Sequence, residues 1–258
     1  MFNFFKKSGK SIKPDLSFLA IDMHSHLLPG IDDGLQELEQ SVEFIKDLQK
    51  LGYRKLICTP HIFSDLYRNS PETILPKLAM VREALAEADV DVVVEAAAEY
   101  MIDHEFADLI ANSKKEELLT VAGDYILVEM SYMSPPPNFD QVIFDLRMLG
   151  LHPILAHPER YNYYHNQFTQ YERFKELGCK LQVNLLSLSG AYGPHVKKTA
   201  EKLFKNQMVD FLGTDMHHER HLAMLKKLAT RKEFYELLVG KPKSNIQSGG
   251  RWWVSVVT

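Results

Sequence analysis

The 258-residue sequence is poor in cysteine, having only Cys58 and Cys179. Two thiols cannot make a disulfide framework or a Cys-rich zinc module. Neither opens a Cys-x5-Arg loop of the kind thiol phosphatases use, because Ser64 and Leu185 stand where the arginine would be. Excess basic charge is also lacking: 30 Lys+Arg face 34 Asp+Glu, a formal charge of −4. A dedicated nucleic-acid binder needs the opposite balance, so none is expected. No apolar run approaches the ~18 residues of a bilayer span. The opening segment sets Phe2, Phe4 and Phe5 beside Lys6 and Lys7 without a signal-peptide core. A cytoplasmic chain that does not cross a membrane is the expectation. What the composition does offer is 11 histidines.

Short apolar runs alternate with helical patterns along most of the chain. Strands are predicted at Phe18–Met23, Arg54–Thr59, Val90–Ala96, Tyr125–Met130, Pro153–Ala156, Lys180–Val183 and Val209–Gly213. They show little polar alternation, as strands covered on both faces should. Helices are predicted at Leu35–Leu51, Pro71–Ala88, Phe139–Leu149, Tyr171–Leu177, Val196–Phe204 and Leu222–Leu238. Glycines at 52, 150, 178 and 240 follow four of them, where C-terminal caps belong. This order predicts a parallel α/β fold. Residues 1–18 read as an N-terminal tail, 19–240 as one domain, and 241–258, with Trp252 and Trp253, as a C-terminal tail.

Six of the seven predicted strands end in a histidine or carboxylate. Asp22-Met-His24-Ser-His26 follows the first, His61 the second, Glu99 the third and Glu129 the fourth. His157-Pro-Glu-Arg160 follows the fifth, and Asp215-Met-His217 the seventh. Singly, each residue has an ordinary structural explanation: Asp215 can cap a helix, and His61 can be a loop residue. Together they recur at one end of successive strands, where α/β barrels place their chemistry. Nitrogen and oxygen donors without thiolate suit zinc, manganese or iron(II). His104, His152, His165 and His195 read as surface or loop residues, whereas His218 and His221 are left open.

The segment from Asp22 to Gly34, with Thr59-Pro-His61, Ala98-Glu99-Tyr100, Val128-Glu129-Met130, Ala156-His-Pro-Glu-Arg-Tyr161, Gln182-Val-Asn184 and Thr214-Asp-Met-His217, resembles the polymerase-and-histidinol-phosphatase (PHP) superfamily. Within it the chain is most similar to the manganese-dependent bacterial protein-tyrosine phosphatases of the CpsB/YwqE type, associated with capsule and exopolysaccharide synthesis. The resemblance spans about residues 19–240. It implies a distorted, TIM-like seven-stranded (β/α) barrel with its active site at the C-terminal strand ends. It further implies three divalent metal ions, Mn2+ first and Fe2+, Zn2+ or Mg2+ as alternatives. On that basis His24, His26, Glu99 and Asp215 hold one metal, and Glu99 bridges to a second completed by Glu129 and His157. Asp33, His61 and His217 hold the third. Arg160 and Arg220 bind the substrate phosphate, Arg220 only if the loop after His217 is shorter than usual. His217 joins these arginines as a catalytic residue.

The implied reaction is phosphotyrosine hydrolysis by direct attack of a metal-bound hydroxide. The implied partner is a phosphotyrosine protein, a bacterial tyrosine kinase. A histidinol-phosphatase type of small-molecule phosphomonoesterase is the alternative. Asp33 and Glu129 favour the tyrosine-phosphatase branch, since many PHP proteins carry histidine at those places. A metal-binding regulator without catalysis, or a C–N hydrolase, fits the arginines less well.

Overall fold

A computed structural model of the chain describes residues 14–239. The expectations for residues 1–13 and 240–258, including the leading phenylalanines and Trp252-Trp253, lie outside the described residues. The first half runs β1 (Ile21–Ser25), α1 (Leu38–Lys50), β2 (Lys55–Cys58), β3 (His61–Ile62), α2 (Pro71–Glu87), β4 (Val93–Ala96), β5 (Glu99–Met101) and α3 (His104–Asn112). The second half runs β6 (Tyr125–Glu129), α4 (Phe139–Met148), β7 (His152–Ala156), α5 (Thr169–Glu176), β8 (Lys180–Asn184), α6 (Pro194–Lys205), β9 (Phe211–Gly213), α7 (Glu219–Leu228) and α8 (Lys232–Val239). Every strand pairing is parallel. Among the described residues no helix is long and apolar enough to cross a membrane.

The strands form two sheets, β1-β2-β4 and β3-β5-β6-β7-β8-β9, not one seven-stranded ladder. The division arises because the predicted second and third strands each stop and restart near the rim. Cys58 and His61 are separated by Thr59-Pro60, where Pro60 has no N–H to donate. Ala96 and Glu99 are separated by Ala97-Ala98. Backbone bonds still cross these gaps, from Ala97 N to Cys58 O (2.8 Å) and from Glu99 N to Pro60 O (3.1 Å). At the outer edges Ser25 and Met216 form a parallel bridge, and Asp215 N donates to His24 O at 2.8 Å.

Alternation along the strands divides apolar residues between two cores. Leu56, Val94, Ile126, Val128, Leu155, Leu181 and Leu212 pack in the larger one with the helices. Met23, Ile57, Ala97, Leu127, Ile154, Ala156 and Phe211 form a smaller inner cluster. Side chains two positions apart share a face, so Ala97 lies below Glu99 and Leu127 below Glu129. The inner cluster is therefore an apolar floor beneath the strand-end donors.

The helices follow the predicted pattern with two departures. Helix α1 buries Val42, Ile45 and Leu48 and ends before Gly52, whose φ of +107° suits glycine. Helix α3 has no counterpart in the sequence pattern; its start is fixed by Asp103, whose carboxylate accepts the Phe106 N–H at 2.8 Å. The single helix predicted over Leu222–Leu238 is two, α7 and α8, divided at Ala229–Arg231. That turn lets Phe234 and Leu238 reach the core and brings the Tyr235 hydroxyl within 2.6 Å of Asp15 O. Finally, Leu16 is fully buried and its N–H donates to Leu51 O, so the packed unit begins before residue 19.

Both cysteines are buried, and burial pushes each thiol up to about 12. Neither is then a thiolate near neutrality. The folded protein at pH 8 should not react with an aromatic disulfide reagent within minutes, whereas denaturant should expose both thiols. Fast labelling of either in the folded state would contradict this packing.

Candidate metal centre

The nine side chains predicted as ligands converge at the C-terminal strand ends. His24 and His26 come from β1 and its exit, His61 from the start of β3, and Glu99 from the start of β5. Glu129 ends β6, His157 follows β7, and Asp215 and His217 follow β9. Asp33 arrives from the loop before α1. Among the described residues, four overlapping groups of donor atoms, each within 4.8 Å, involve all nine and no other residue: His24–His26–Asp215, His24–Glu99–His157, His61–Glu99–Glu129 and His26–Asp33–His61–His217. Only the first falls within one site of the expected partition, since His24 also joins His157, His61 also joins Glu129 and His26 also joins the Asp33 group.

Glu99 sits at the middle. Its Oε2 lies 3.2 Å from His24 Nε2, 3.4 Å from His26 Nε2 and 3.2 Å from His61 Nδ1. Its Oε1 lies 2.9 Å from His157 Nε2. Asp215 Oδ1 lies 3.4 Å from each of His24 Nε2, His26 Nε2 and His217 Nδ1. Asp33 Oδ1 faces His61 and His217 at 3.4 and 3.5 Å. Burial alone would raise Glu99 and Asp215, yet the neighbouring imidazoles hold both well below the usual carboxylate range. Conversely, burial disfavours the His61 cation, but Glu129 and Glu99 raise it to about 9. Protons and metal ions compete for these same lone pairs.

Several observations fit divalent cations in this cluster. His24 Nε2 and His26 Nε2 stand 3.2 Å apart, close to the ~3.4 Å between two nitrogens each about 2.1 Å from a tetrahedral metal. His61 Nδ1 is buried 2.8 Å from Glu129 Oε1, yet lacks a hydrogen-bond partner of proper angle among the described residues. Those lone pairs meet as they would around a shared cation. Four carboxylates packed into one buried volume also need compensating charge, because buried unpaired charge is costly.

Residues without an assigned role in the sequence reading aim the ligands. Asp32 Oδ2 takes His26 Nδ1 at 2.7 Å, and Gln182 Oε1 takes His24 Nδ1 at 2.9 Å. Each leaves Nε2 turned into the centre, the arrangement that orients metal-bound imidazoles. Asn184 Nδ2 donates to Asp215 Oδ2 at 2.6 Å. Buried Glu159 accepts from Asn184 N (3.0 Å) and Ser187 Oγ (2.6 Å), pinning the turn between His157 and Arg160. Gly213 has no room for a side chain, since a Cβ there would stand 2.6 Å from the His24 Cβ. His157 (φ +33°) and Asp215 (φ +51°) both occupy the left-handed region, strain of ~1–3 kcal/mol apiece that surrounding structure must hold. Asp32, Gln182, Asn184 and Glu159 all lie within the motifs quoted from the sequence, which was the available signal.

Above the cluster opens a cavity of about 230 Å3 lined by Asp33, His61, His157, Asp215 and His217, with Tyr132, Arg160, Tyr192, His218 and His221. Arg160 Nη1 donates to Asp215 Oδ2 at 2.8 Å. Its guanidinium lies between the Tyr132 and Tyr192 rings, 4.8 and 4.4 Å from their centroids. Arg220 is not brought to this cavity. It is exposed on the first turn of α7 and borders a separate depression toward Gln36, Gln40 and Phe44. The reason is local: His218 caps α7, so His221, not Arg220, turns inward, its Nδ1 3.2 Å from Asp215 O.

Removing the Asp32 carboxylate frees the His26 ring. Asp32→Ala should weaken divalent-metal binding by about 10–100-fold, measured by competition with a chelating indicator. Unchanged affinity would show that Asp32 does not support the centre.

Comparison with known proteins identifies relatives of the whole described unit. The family described as capsular polysaccharide synthesis, CpsB/CapC, matches residues 20–233. Tyrosine-protein phosphatase YwqE of Bacillus subtilis (strain 168) is 29% identical over 199 residues, 77% of each chain. Tyrosine-protein phosphatase CpsB of Streptococcus pneumoniae is 26% identical over 240 residues, covering 88% of this chain and 98% of that one. A crystal structure from the YwqE and CpsB pair, called unique metal-dependent tyrosine phosphatases, superimposes with a TM-score of 0.75 at 27% identity, covering 86% of this chain and 88% of the other. The lactonase Lmo2620 of Listeria monocytogenes shares the fold alone, with a TM-score of 0.50 at 11% identity. The chain belongs to the CpsB/CapC family.

Proposed function

We propose that the chain is a metal-dependent protein-tyrosine phosphatase that acts in the cytoplasm on a bacterial tyrosine kinase of capsule or exopolysaccharide synthesis. The observation that carries this reading is the convergence of nine nitrogen- and oxygen-donating side chains beneath one cavity with Arg160 at its wall. His24, His26, Glu99 and Asp215 would hold the first of three divalent ions. Glu129 and His157 would complete a second site that shares Glu99, and Asp33, His61 and His217 would complete the third. The nitrogen and oxygen set, free of thiolate, suits manganese. The same reading treats the two sheets as one distorted seven-position (β/α) barrel, with the Ser25–Met216 bridge joining its ends.

Four carboxylates against three divalent ions leave a net charge of +2, matched to a phosphomonoester that carries about −2 near neutrality. When bound, such ions stabilise charge on phosphoryl oxygens and lower the pKa of water toward neutrality. The chain's own residues do the rest. Arg160 is fixed by Asp215 and by two aromatic faces, so its remaining N–H groups are set to grip equatorial phosphoryl oxygens. Among the described residues no Ser, Thr or Cys lines the cavity, and the buried thiols are protonated, which supports hydrolysis without a phosphoryl-protein intermediate. Tyrosine leaves as a phenolate of pKa ~10, which lessens the demand on a proton donor. Arg220 contributes a phosphate contact in this reading only if the α7 entrance rearranges around substrate.

Tyr132 is 43% exposed and stacks 5.7 Å from the His157 ring. It offers an aromatic face to an aryl leaving group beside Arg160. The parent should hydrolyse a phosphotyrosine peptide with higher kcat/KM than histidinol phosphate. Because Tyr132 also flanks Arg160, Tyr132→Ala should lower both values, but the peptide value about 3–10-fold more than that of histidinol phosphate, since aromatic pairs contribute ~0.5–1.5 kcal/mol. A parent preference for histidinol phosphate would favour the metabolite reading. Equal loss on both substrates would deny Tyr132 its aryl-contact role.

A further inference from the structure

A second concave site lies on the same face of the molecule. Helices that follow parallel strands begin at the strands' C-terminal ends, so the start of α6 stands at the rim of the metal cavity. His195, Lys198, Thr199 and Lys202 occupy positions i, i+3, i+4 and i+7 of this helix and therefore form one stripe. Across from it stand His165, Asn166 and Phe168, and the seven residues enclose about 270 Å3. Among the described residues no carboxylate contributes to the lining. On α6 the nearby Glu201 pairs with Lys197, which is not part of the lining.

Both lysines are exposed, and one rests on an aromatic ring. Lys202 Nζ sits 3.8 Å from the Phe168 ring centroid. Among the described residues neither Lys198 nor Lys202 pairs with a carboxylate. The His165 and His195 rings face one another, 6.4 Å apart and 25° from parallel. His165 Nε2 donates to the backbone carbonyl of Glu159 at 2.8 Å. This places one wall of the site on the segment that carries Arg160, five residues away in sequence.

We propose that this pocket binds a phosphoryl group, as a second anion site beside the catalytic cavity. Two ammonium groups, a hydroxyl, an amide and two imidazoles without an opposing carboxylate suit a dianion with three terminal oxygens. The volume holds such a group and its hydration but no large ligand. Two sources share that chemistry: a second phosphorylated residue of the polypeptide substrate, or free inorganic phosphate. The first rests on the phosphatase reading; the second stands without it.

The test compares the metal-loaded parent with Lys198→Glu/Lys202→Glu, two exposed positions outside the core. Titration calorimetry with inorganic phosphate should find two sites per chain in the parent and one in the variant. A peptide with two phosphorylated residues should have a KM about tenfold higher in the variant. A singly phosphorylated peptide and p-nitrophenyl phosphate should keep their kcat and KM. A loss in the phosphate titration alone supports the pocket with free phosphate as ligand, and a loss in the peptide arm alone supports a substrate exosite. Identical behaviour of parent and variant in both arms overturns the proposal. Failure of either protein to hydrolyse any phosphopeptide would count against the phosphatase reading, while the phosphate titration would still decide the pocket.

Discussion

The structure depends on gathering four carboxylates into one buried volume with five imidazoles. Carboxylates this close repel one another and lose hydration, so the cluster persists only with positive charge inside it. Glu99 bears the largest share, with nitrogens of His24, His26, His61 and His157 within 3.4 Å of its two oxygens. The parallel strands supply the geometry, because each delivers one or two donors to the same rim. The inner apolar cluster closes the space beneath, which keeps water from relaxing the charges from below. Left-handed backbone at His157 and Asp215 is tolerated where the turns are tied, by Glu159 in one case and by Asn184 and Arg160 in the other.

Much of this was legible in the sequence because the ligands sit where hydrophobic strands run out. His-x-His after β1, Glu99 after the second gap and Asp-x-His after β9 mark themselves by position. The supporting residues are harder to read. Gln182 meets His24 across 158 residues and Glu159 meets Asn184 across 25, and nothing local announces either contact. The rim gaps within the predicted second and third strands were hidden because Thr59-Pro60 and Ala97-Ala98 are as apolar or as compact as their flanks. Helix α3 is short and marked mainly by Asp103, while the break between α7 and α8 is decided by core contacts of Phe234 and Leu238. Arg220 shows the limit of motif transfer: the His218 cap sets which α7 side chain faces the cavity, and it selects His221.

Charge gives the composition its meaning. A chain of 30 basic and 34 acidic residues is nearly balanced, but its charges are sorted by place. Four acids are concentrated in the centre, and among the described residues Lys198 and Lys202 of α6 line a pocket without acids. At the outer wall Arg160 gives one N–H to Asp215 and is otherwise flanked by aromatic rings, leaving its remaining N–H groups to meet an anion. An acidic interior that takes up cations and a rim that then receives phosphate follow from the same sorting. The buried, protonated cysteines fit that picture, since the chemistry needs no protein nucleophile.

The central claim is that this side-chain cluster binds divalent cations and that phosphotyrosine hydrolysis depends on them. The most direct measurement strips the protein with a chelator and then titrates Mn2+ back. Bound metal per chain is counted by elemental analysis at each step, alongside hydrolysis of a phosphotyrosine peptide. The account predicts no turnover in the stripped protein and activity that rises with occupancy until three ions are bound. Full turnover without metal, or saturation with metal and no hydrolysis, would contradict it.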